Sequence, residues 1–426
     1  MFRILAIIIG LTCAGCACAA GAGGDAKMNL VKPTPDQAAW HDMELEMFIH
    51  FGPATWQNSE YDTLATPLSE IDPAKLDTDQ WARVAVSMGA KQIVFVAKHT
   101  GGFCWWQTDT TDYGARQIPW RGGKGDVIAD LQKSCHKYGL KLGIYLSIQD
   151  DHWARANNKP HDRNAYGEAY NEIYRQQLTE VLTRYGRIDE VWFDGGVNIP
   201  IADIITKHAP HALLFGAPGG YHNRIRWVGN EEGYSDYPNW NTVGDEWMPA
   251  EVDTVNVSPH YWFWKTTPDR TLRSVDELMD CYYRSVGYGC VLLLNQTPDT
   301  SGLIPEADAK RAAEFGAEVK RRFATSIAET EGKGNILDLD LASPTTIDHI
   351  VTMEDITEGE RVRECTIQGK VDGQWKELCH GTAIGHKKID RIPLVKVASV
   401  RLICLKSSAE PIIRKLAVYN AGIPSR

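Results

Sequence analysis

Short runs of consecutive apolar residues recur through the first three quarters of the chain, with helix-like segments between them. Eight runs are candidate strands, at residues 47–52, 93–99, 142–147, 190–195, 213–217, 226–231, 253–257 and 290–295. Near-continuous hydrophobicity is typical of parallel strands that are buried on both faces. Eight such strands alternating with helices predict an α/β fold with a closed (β/α)8 barrel.

The segments between these runs carry helical signals. Residues 81–88 place apolar side chains at the i, i+3, i+4 and i+7 spacing of one helix face. Ser274 and Glu277 have the spacing of a capping box, which predicts a helix start. Residues 163–186 have a helix-forming composition, whereas 232–250 lack periodicity and are predicted to be a long loop between a strand and a helix.

The pattern changes near residue 331, where apolar and polar residues begin to alternate in short stretches separated by turns. This alternation predicts a C-terminal all-β sandwich at residues 332–426, after a barrel domain at 28–328. With Trp375 as its one tryptophan, the second domain is expected to be a structural accessory rather than a carbohydrate-binding module.

The N-terminus has the pattern of an export signal. Residues 2–12 hold one basic residue and then an apolar run that is too short to span a membrane, so 1–20 are predicted to be a signal peptide. Residues 14–16 (AGC) resemble a lipoprotein cleavage site, and 17–19 (ACA) offer a competing signal-peptidase site. Both predict an exported protein, either periplasmic or an outer-membrane lipoprotein attached only through its lipid anchor.

Composition narrows the function classes. The chain has 426 residues, 43% of them hydrophobic, and a formal net charge of −10. A folded core is therefore expected, and a dedicated nucleic-acid binder, which would show a basic surface, is not. Outside the leader the cysteines form no C-x-x-C pair, and no cofactor or metal motif is recognised. Thirteen of the 14 tryptophans lie between Trp40 and Trp264.

Polar and titratable residues stand at the ends of the candidate strands, where the active site of a (β/α)8 barrel lies. This ring consists of His50, His99, Tyr145 with Ser147, Asp194, Glu231 and the pair Glu251 and Asp253. Aromatic residues beside it, namely Trp56, Trp105, Trp106, Trp192 and Trp262, are predicted to contact substrate. Carboxylates among aromatic rings suit a sugar, which offers apolar faces for stacking and hydroxyls for hydrogen bonds.

Two carboxylates are candidates for catalysis. Asp194 ends a hydrophobic strand before two glycines and is either a catalytic carboxylate or the cap of the next helix. A retaining glycosidase needs an ionised carboxylate as nucleophile and a second one as acid and base. For the second role Glu231 ranks first because it follows a strand candidate, and Glu251 is the alternative.

His50 and His99 also permit a metal site, since two histidines on neighbouring strands can bind zinc. A third ligand is missing, however, and no HExxH spacing occurs. We therefore expect these histidines to hydrogen-bond sugar hydroxyls, and we predict neither a metal nor a cofactor.

Four segments together resemble one enzyme family. They are residues 48–53 (FIHFGP), 97–106 (AKHTGGFCWW), 143–147 (GIYLS) and 190–195 (EVWFDG). In order and spacing they are similar to the glycoside hydrolase family 29 α-L-fucosidases, over essentially the whole mature chain. The resemblance implies a retaining exo-α-L-fucosidase that acts on fucosylated glycans, with Asp194 as nucleophile.

The same resemblance assigns further roles. His50, His99 and Tyr145 match the contacts to fucose, and Trp262 matches an aromatic facing its methyl group. Residues 227–231 (WVGNE) look like the acid/base segment of the subgroup that prefers α-1,3/1,4-linked fucose, which makes Glu231 the acid/base.

Two positions depart from the family pattern. Thr100–Gly101 stand where members commonly have His-Asp, and Ser258 stands where the subgroup often has arginine. Two alternatives therefore remain: a non-catalytic fucose- or glycan-binding lipoprotein, and a glycosidase for another L-sugar.

Overall fold

The computed structural model describes residues 30–422. Its helices are α1 (Pro35–His41), α2 (Ala54–Gln57), α3 (Thr78–Met88), α4 (Val127–Tyr138), α5 (Asp151–Ala156), α6 (Glu168–Arg184), α7 (Ala202–His208), α8 (Val275–Arg284) and α9 (Glu306–Phe323).

The strands of the N-terminal part are β1 (Leu45–Ile49), β2 (Gln92–Lys98), β3 (Lys141–Leu146), β4 (Glu190–Trp192), β5 (Leu213–Phe215), β6 (Arg224–Trp227), β7 (Thr242–Val243), β8 (Glu246–Trp247), β9 (Ala250–Val255), β10 (Val257–Ser258), β11 (Thr271–Leu272) and β12 (Val291–Asn295). Eight of them close a parallel barrel in the order β1-β12-β9-β6-β5-β4-β3-β2. This confirms the predicted barrel, and each of the eight apolar runs overlaps one of its strands.

Burial explains why these runs could be recognised. Every residue of β1, β2, β9 and β12 is buried, because side chains of one parity fill the barrel and those of the other pack under the helices. The predicted face of α3 is likewise buried against the barrel. Ser274 and Glu277 form the predicted capping box at the start of α8.

Two of the barrel connections carry no α-helix. The β5–β6 connection is a short loop, and the segment after β6 forms only the two-stranded β7–β8 hairpin before β9. The segment after β6 also docks on the C-terminal domain, where Asn241 donates from its backbone N and its Nδ2 to the carboxylate of Glu360. Tyr237 donates from its hydroxyl to the backbone oxygen of Ala383. This docking gives an aperiodic segment a fixed course.

The C-terminal part is an antiparallel sheet, which confirms the predicted all-β domain. Its strands are β13 (Ala328–Lys333), β14 (Ile336–Glu354), β15 (Val362–Val371), β16 (Gln374–Gly381), β17 (Lys388–Ser407) and β18 (Ile412–Tyr419). The long strands β14 and β17 shift register twice where they pair, as β-bulges do when a strand bends. Both halves of these strands contribute to one apolar core.

Within residues 30–422, we find no helix with the length and hydrophobicity that a membrane crossing requires. The predicted signal peptide at 1–20 lies outside the described residues.

Candidate active site

Six of the predicted site residues meet at the carboxyl ends of the barrel strands. His50 follows β1, His99 follows β2, Tyr145 is the fifth residue of β3 and Asp194 lies two residues beyond β4. Glu231 lies in the loop after β6, and Trp262 lies in the segment between β10 and β11. Because the strands are parallel, these ends share one rim of the barrel.

Aromatic contacts connect the histidines of this rim. The ring of His50 lies 4.9 Å from that of Trp262 and 5.9 Å from that of His99, which in turn stacks on Tyr145 at 5.6 Å. Asn295 at the end of β12 fixes one end of this row, since its Oδ1 is 3.0 Å from His50 Nδ1 and its Nδ2 donates to the backbone oxygen of Trp262. The imidazole of His50 thus has a set orientation.

Both histidines are held neutral. Burial lowers the pKa of His50 well below its usual value, and the nearby His99 lowers it further. Burial lowers the pKa of His99 to about 4, although the negative charge of Asp194 opposes this change. Near pH 7 each ring can therefore donate one hydrogen bond and accept another, as contact with sugar hydroxyls requires.

The surroundings of His99 account for the unusual Thr100–Gly101 pair. A Cβ at Gly101 would stand 2.4 Å from Oδ2 of Asp62, so only glycine leaves room for that carboxylate. Asp62 is buried and accepts a hydrogen bond from the hydroxyl of Tyr113 at 2.7 Å. Thr100 places its hydroxyl 3.3 Å from His99 Nδ1. Thr100 and Gly101 thus place a hydroxyl and the charge of Asp62 near His99.

Asp194 has one oxygen occupied by a tyrosine. The hydroxyl of Tyr145 donates to Asp194 Oδ2 at 3.0 Å. Burial raises the pKa of Tyr145 well above its usual value, and the charge of Asp194 raises it further, so the hydroxyl keeps its proton. Asp194 itself is exposed toward the opening of the barrel. Its carboxylate is therefore both oriented and accessible.

The backbone after Asp194 makes a tight turn that an arginine holds. Gly195 has φ of 62°, in the left-handed region where glycine carries no steric cost. The guanidinium of Arg163 donates to the backbone oxygen of Asp194 at 2.6 Å and to that of Gly195. The positive φ of this turn therefore favours glycine at position 195.

Glu231 lies between an indole and an imidazole. Trp262 Nε1 donates to Glu231 Oε2 at 3.1 Å, and His260 Nε2 is 3.3 Å from the same oxygen. The Glu231 side chain is 48% exposed, so the carboxyl group can reach a bound substrate. Trp262 itself is positioned by Glu60, which accepts a hydrogen bond from its backbone N at 2.8 Å.

A third carboxyl group, Asp253 of β9, lies in the electrostatic field of the other two. Its side chain is buried, and Trp227 Nε1 donates to its Oδ1 at 2.7 Å. Burial raises the pKa of Asp253 to about 7, and the charges of Glu231 and Asp194 contribute to the increase. Asp253 is thus the group here whose charge changes near neutral pH.

Glu251 lies deeper than the rim. It precedes Asp253 by two residues on β9, so it projects to the same face about 7 Å further into the barrel. It is fully buried, accepts a hydrogen bond from Trp192 Nε1 at 2.7 Å, and packs with Glu46 and Glu190.

Glu46, Glu190 and Glu251 are the one group of three metal-type ligands found close together in the described part of the chain. Burial raises the pKa of all three well above the usual value, and they raise one another's pKa further. Gln92 donates to both Glu46 and Glu190. Their burial therefore favours protonated carboxyl groups that hydrogen-bond to their neighbours.

Three of the tryptophans predicted to contact the sugar, Trp105, Trp106 and Trp192, are buried, and a fourth, Trp56, is half-buried. Trp105 is buried against Phe51, and Trp106 is buried with its Nε1 donating to a glutamate of α6. Trp56 packs beside Phe51 in the same outer layer. Trp192 is stacked between Tyr145 and Phe215 beneath the site. Trp105, Trp106 and Trp192 thus support the walls and floor of the site, and contact of these four rings with substrate stays a prediction.

Several residues at the site escaped sequence analysis. Asp62 and Glu60 lie in an irregular segment after α2, whereas Asn295 ends a recognised strand and could have been found by the strand-end argument. His260 lies in a loop, and Arg163 begins a short 3-10 helix before α6; the course of both segments depends on distant contacts. For these two, the sequence carries no comparable signal.

Several known proteins are similar to this chain in sequence and in fold. A family model described as α-L-fucosidase matches residues 37–322. α-L-Fucosidase 1 of Arabidopsis thaliana is 29% identical over 457 residues, covering 91% of this chain and 87% of the relative. A crystal structure from Bacteroides thetaiotaomicron has a TM-score of 0.86 at 31% identity, covering 92% of this chain and 99% of that one. A glycoside hydrolase 29 family member from an unknown rumen bacterium has a TM-score of 0.83 at 32% identity, covering 93% and 78%.

Proposed function

This chain belongs to the α-L-fucosidase family of glycoside hydrolases, and from that premise we propose that it is a retaining exo-α-L-fucosidase in which Asp194 is the nucleophile and Glu231 the acid/base. The observation that carries the proposal is the pair of accessible carboxylates on one rim, each oriented by a hydrogen-bond donor. Family membership favours this enzyme over the alternative of a non-catalytic glycan-binding protein.

In the first step, Asp194 attacks the anomeric carbon of the fucosyl unit. The Tyr145 hydroxyl occupies Oδ2, which leaves Oδ1 free to form the new bond. As the bond to the leaving-group oxygen breaks, the carboxyl proton of Glu231 moves to that oxygen, and a covalent fucosyl-enzyme results. In the second step, Glu231 takes a proton from water, whose oxygen attacks the anomeric carbon and releases Asp194.

The choice of Glu231 over Glu251 rests on access. Glu231 is half exposed at the rim, whereas Glu251 is enclosed beneath Trp192 with other carboxyl groups. A group that moves a proton to and from substrate must come within hydrogen-bond distance of it. Contact with Trp262 and His260 also keeps the Glu231 carboxylate near its working position.

The substrate is proposed to be α-1,3/1,4-linked fucose at the end of a glycan. Residues 227–231 match the acid/base segment of the subgroup with that preference. The neutral imidazoles of His50 and His99 and the ring of Trp262 offer hydrogen bonds and an apolar face for the fucose itself.

The segment at residues 1–20 supports export, either to the periplasm or as an outer-membrane lipoprotein held by its lipid. Labelling of cells with radioactive palmitate, with Cys16→Ala and Cys18→Ala as variants, tests the lipidated form. We expect the label to be lost in Cys16→Ala alone. Wild-type protein without label would contradict the lipidated form and favour the soluble exported form.

Kinetics on two substrate types test the catalytic roles. Asp194→Ala should abolish turnover of both an aryl α-L-fucoside and a fucosylated trisaccharide. Glu231→Gln should lose about 10²- to 10⁴-fold on the trisaccharide but much less on an aryl fucoside with a good leaving group, which needs little proton donation.

Glu251→Gln is the matched control because it makes the same change in the deeper carboxyl. If Glu251→Gln shows the leaving-group dependence and Glu231→Gln does not, the assignment of the acid/base is wrong. Wild-type inactivity on every fucoside, with turnover of another L-sugar, would overturn the substrate.

A further inference from the structure

Lys98 is a charged side chain enclosed in the wall of the barrel. It is the last residue of β2, directly before His99, and its side chain is 0% exposed. Its Nζ donates to Gln177 Oε1 at 2.7 Å and to the Tyr170 hydroxyl at 2.8 Å, and it lies 3.5 Å from Asp150 Oδ2. Because Tyr170 and Gln177 both belong to α6, Lys98 points into the layer between the barrel and that helix, whereas His99 lies at the rim. Lys98 thus has no access to a bound sugar.

A buried ammonium is a costly way to fill this space. Burial removes the water that stabilises the charge, and an apolar side chain of similar length would avoid that cost. Apolar packing has no preferred direction, however, whereas hydrogen bonds from an ammonium fix where its acceptors lie. The acceptors of Lys98 come from α6 and from the segment between β3 and α5. The charge therefore connects the end of β2 to two neighbouring parts of the barrel wall.

Asp150 connects the lysine to the turn that follows His99. Its Oδ1 accepts a hydrogen bond from the backbone N of Trp153 at 2.9 Å, which caps the start of α5. The first two backbone N–H groups of α5 donate to the backbone oxygens of Thr100 at 2.9 Å and of Gly101 at 3.2 Å. The ion pair thus holds the start of α5, and the start of α5 holds the two residues after His99.

The turn after His99 packs directly on the Asp150 carboxylate. The backbone N of Gly102 donates to the backbone oxygen of His99 at 3.0 Å, which closes the turn. A Cβ at Gly102 would overlap Oδ1 of Asp150, so only glycine leaves room for the carboxylate there. On the other side of His99, the backbone oxygen of Lys98 accepts a hydrogen bond from the backbone N of Ser147 at 2.9 Å. Both flanks of His99 are thus fixed, one by this backbone contact and the other through Asp150.

From these contacts we propose that Lys98 is a positioning residue for His99: its ion pair with Asp150 holds the turn at residues 99–102 in the shape that presents the His99 imidazole to the fucosyl unit. The inference rests on the proposed function, because that function makes His99 a contact to the sugar. It extends that function to a buried residue that takes part in neither catalytic step. Loss of the ion pair should weaken sugar binding through His99 and leave the other contacts to the sugar intact.

Two variants and a matched control separate position from charge and from stability. Lys98→Met keeps the length of the side chain and removes its charge. Tyr170→Phe keeps that charge and removes the hydroxyl that accepts from Lys98 and donates to Asp150 at 3.3 Å. Lys388→Met makes the same change at a second buried lysine, which pairs with Asp390 in the C-terminal sheet. It therefore controls for the loss of a buried ion pair away from the rim.

A double-mutant cycle with His99→Ala shows whether Lys98 acts through His99. We measure kcat/KM on an aryl α-L-fucoside for each variant, and thermal unfolding verifies that each is folded at the assay temperature. Lys98→Met should lower kcat/KM about ten-fold when His99 is present and by less than about two-fold in the His99→Ala background. Tyr170→Phe should lower it about three-fold, again only when His99 is present. Lys388→Met should lower the Tm and leave kcat/KM unchanged.

Calorimetric binding of L-fucose makes the test independent of turnover. Lys98→Met should raise the Kd about ten-fold and Tyr170→Phe about three-fold. Equal losses with and without His99, or wild-type kinetics and fucose binding in both variants, would overturn the positioning role. If Lys98→Met does not fold, Tyr170→Phe decides by the same comparison. A wild-type protein that binds L-fucose but turns over no fucoside would instead overturn the proposed function.

Discussion

Asp253→Asn should make the protein more stable at neutral pH and leave its stability in acid unchanged. The substitution removes an ionisable group and keeps the shape of the side chain, so the amide oxygen can still accept the hydrogen bond from Trp227 Nε1. What changes is the cost of ionising a carboxyl group inside the barrel.

The magnitude follows from linkage. The pKa of Asp253 rises from 3.8 to about 7 on folding, first through burial and then through the charges of Glu231 and Asp194. Because this folded-state pKa is raised, the contribution of Asp253 to stability is fully present below pH 4 and is lost as pH rises to 7. A shift of about three units at ~1.36 kcal/mol each corresponds to about 4 kcal/mol.

Thermal or urea unfolding of both proteins from pH 4 to pH 8 measures the effect. The difference in free energy of unfolding between variant and wild type should grow by about 4 kcal/mol between pH 4 and 7 and then level off. Asp245→Asn, a change at an exposed carboxyl in the β7–β8 turn, is the control and should show little pH-dependent difference. A constant difference between Asp253→Asn and wild type across this range would refute the argument.

Three further substitutions probe the site and its support. Gly101→Ala should lower kcat/KM more than ten-fold, because its Cβ would displace the Asp62 carboxylate beside the sugar-binding histidine, and kinetics on an aryl fucoside measure the loss. Trp106→Phe should lower the free energy of unfolding by about 1–3 kcal/mol in a denaturation assay, since it leaves the buried carboxylate of Glu180 without its indole donor. Its kcat in an activity assay should equal that of the wild type. Trp262→Phe should lower kcat/KM on a fucosylated trisaccharide, because Glu231 loses the indole donor that holds its carboxylate in place, and unchanged kinetics would contradict that role.

The barrel could be predicted because burial leaves a direct mark on composition. Strands enclosed on both faces are mostly apolar, so β1, β2 and β12 were recognisable as runs, although buried polar residues such as Glu46 also lie on them. The position of the active site at strand ends then placed His50, His99 and Asp194 on one rim without knowledge of any contact.

The sequence did not show how deep each side chain lies in the barrel or which path the irregular segments take. Glu251 and Asp253 have the same strand parity, and only the register of β9 in the barrel shows that one is enclosed while the other adjoins the rim carboxylates. The direction in which the rings of Trp105 and Trp106 point depends on contacts with distant segments, since their indoles donate to the backbone of Phe51 and to Glu180 of α6. Proximity along the chain to a strand end was therefore a poor guide to whether a tryptophan ring is exposed at the rim.

Trapping of the covalent intermediate shows which carboxylate is the nucleophile. The enzyme is incubated with 2-deoxy-2-fluoro-α-L-fucosyl fluoride, digested, and its peptides are sequenced by mass spectrometry. We expect one fluorofucosyl group on Asp194, and none in Asp194→Ala. A label on another carboxylate, or inversion of configuration in the first-formed fucose, would contradict it.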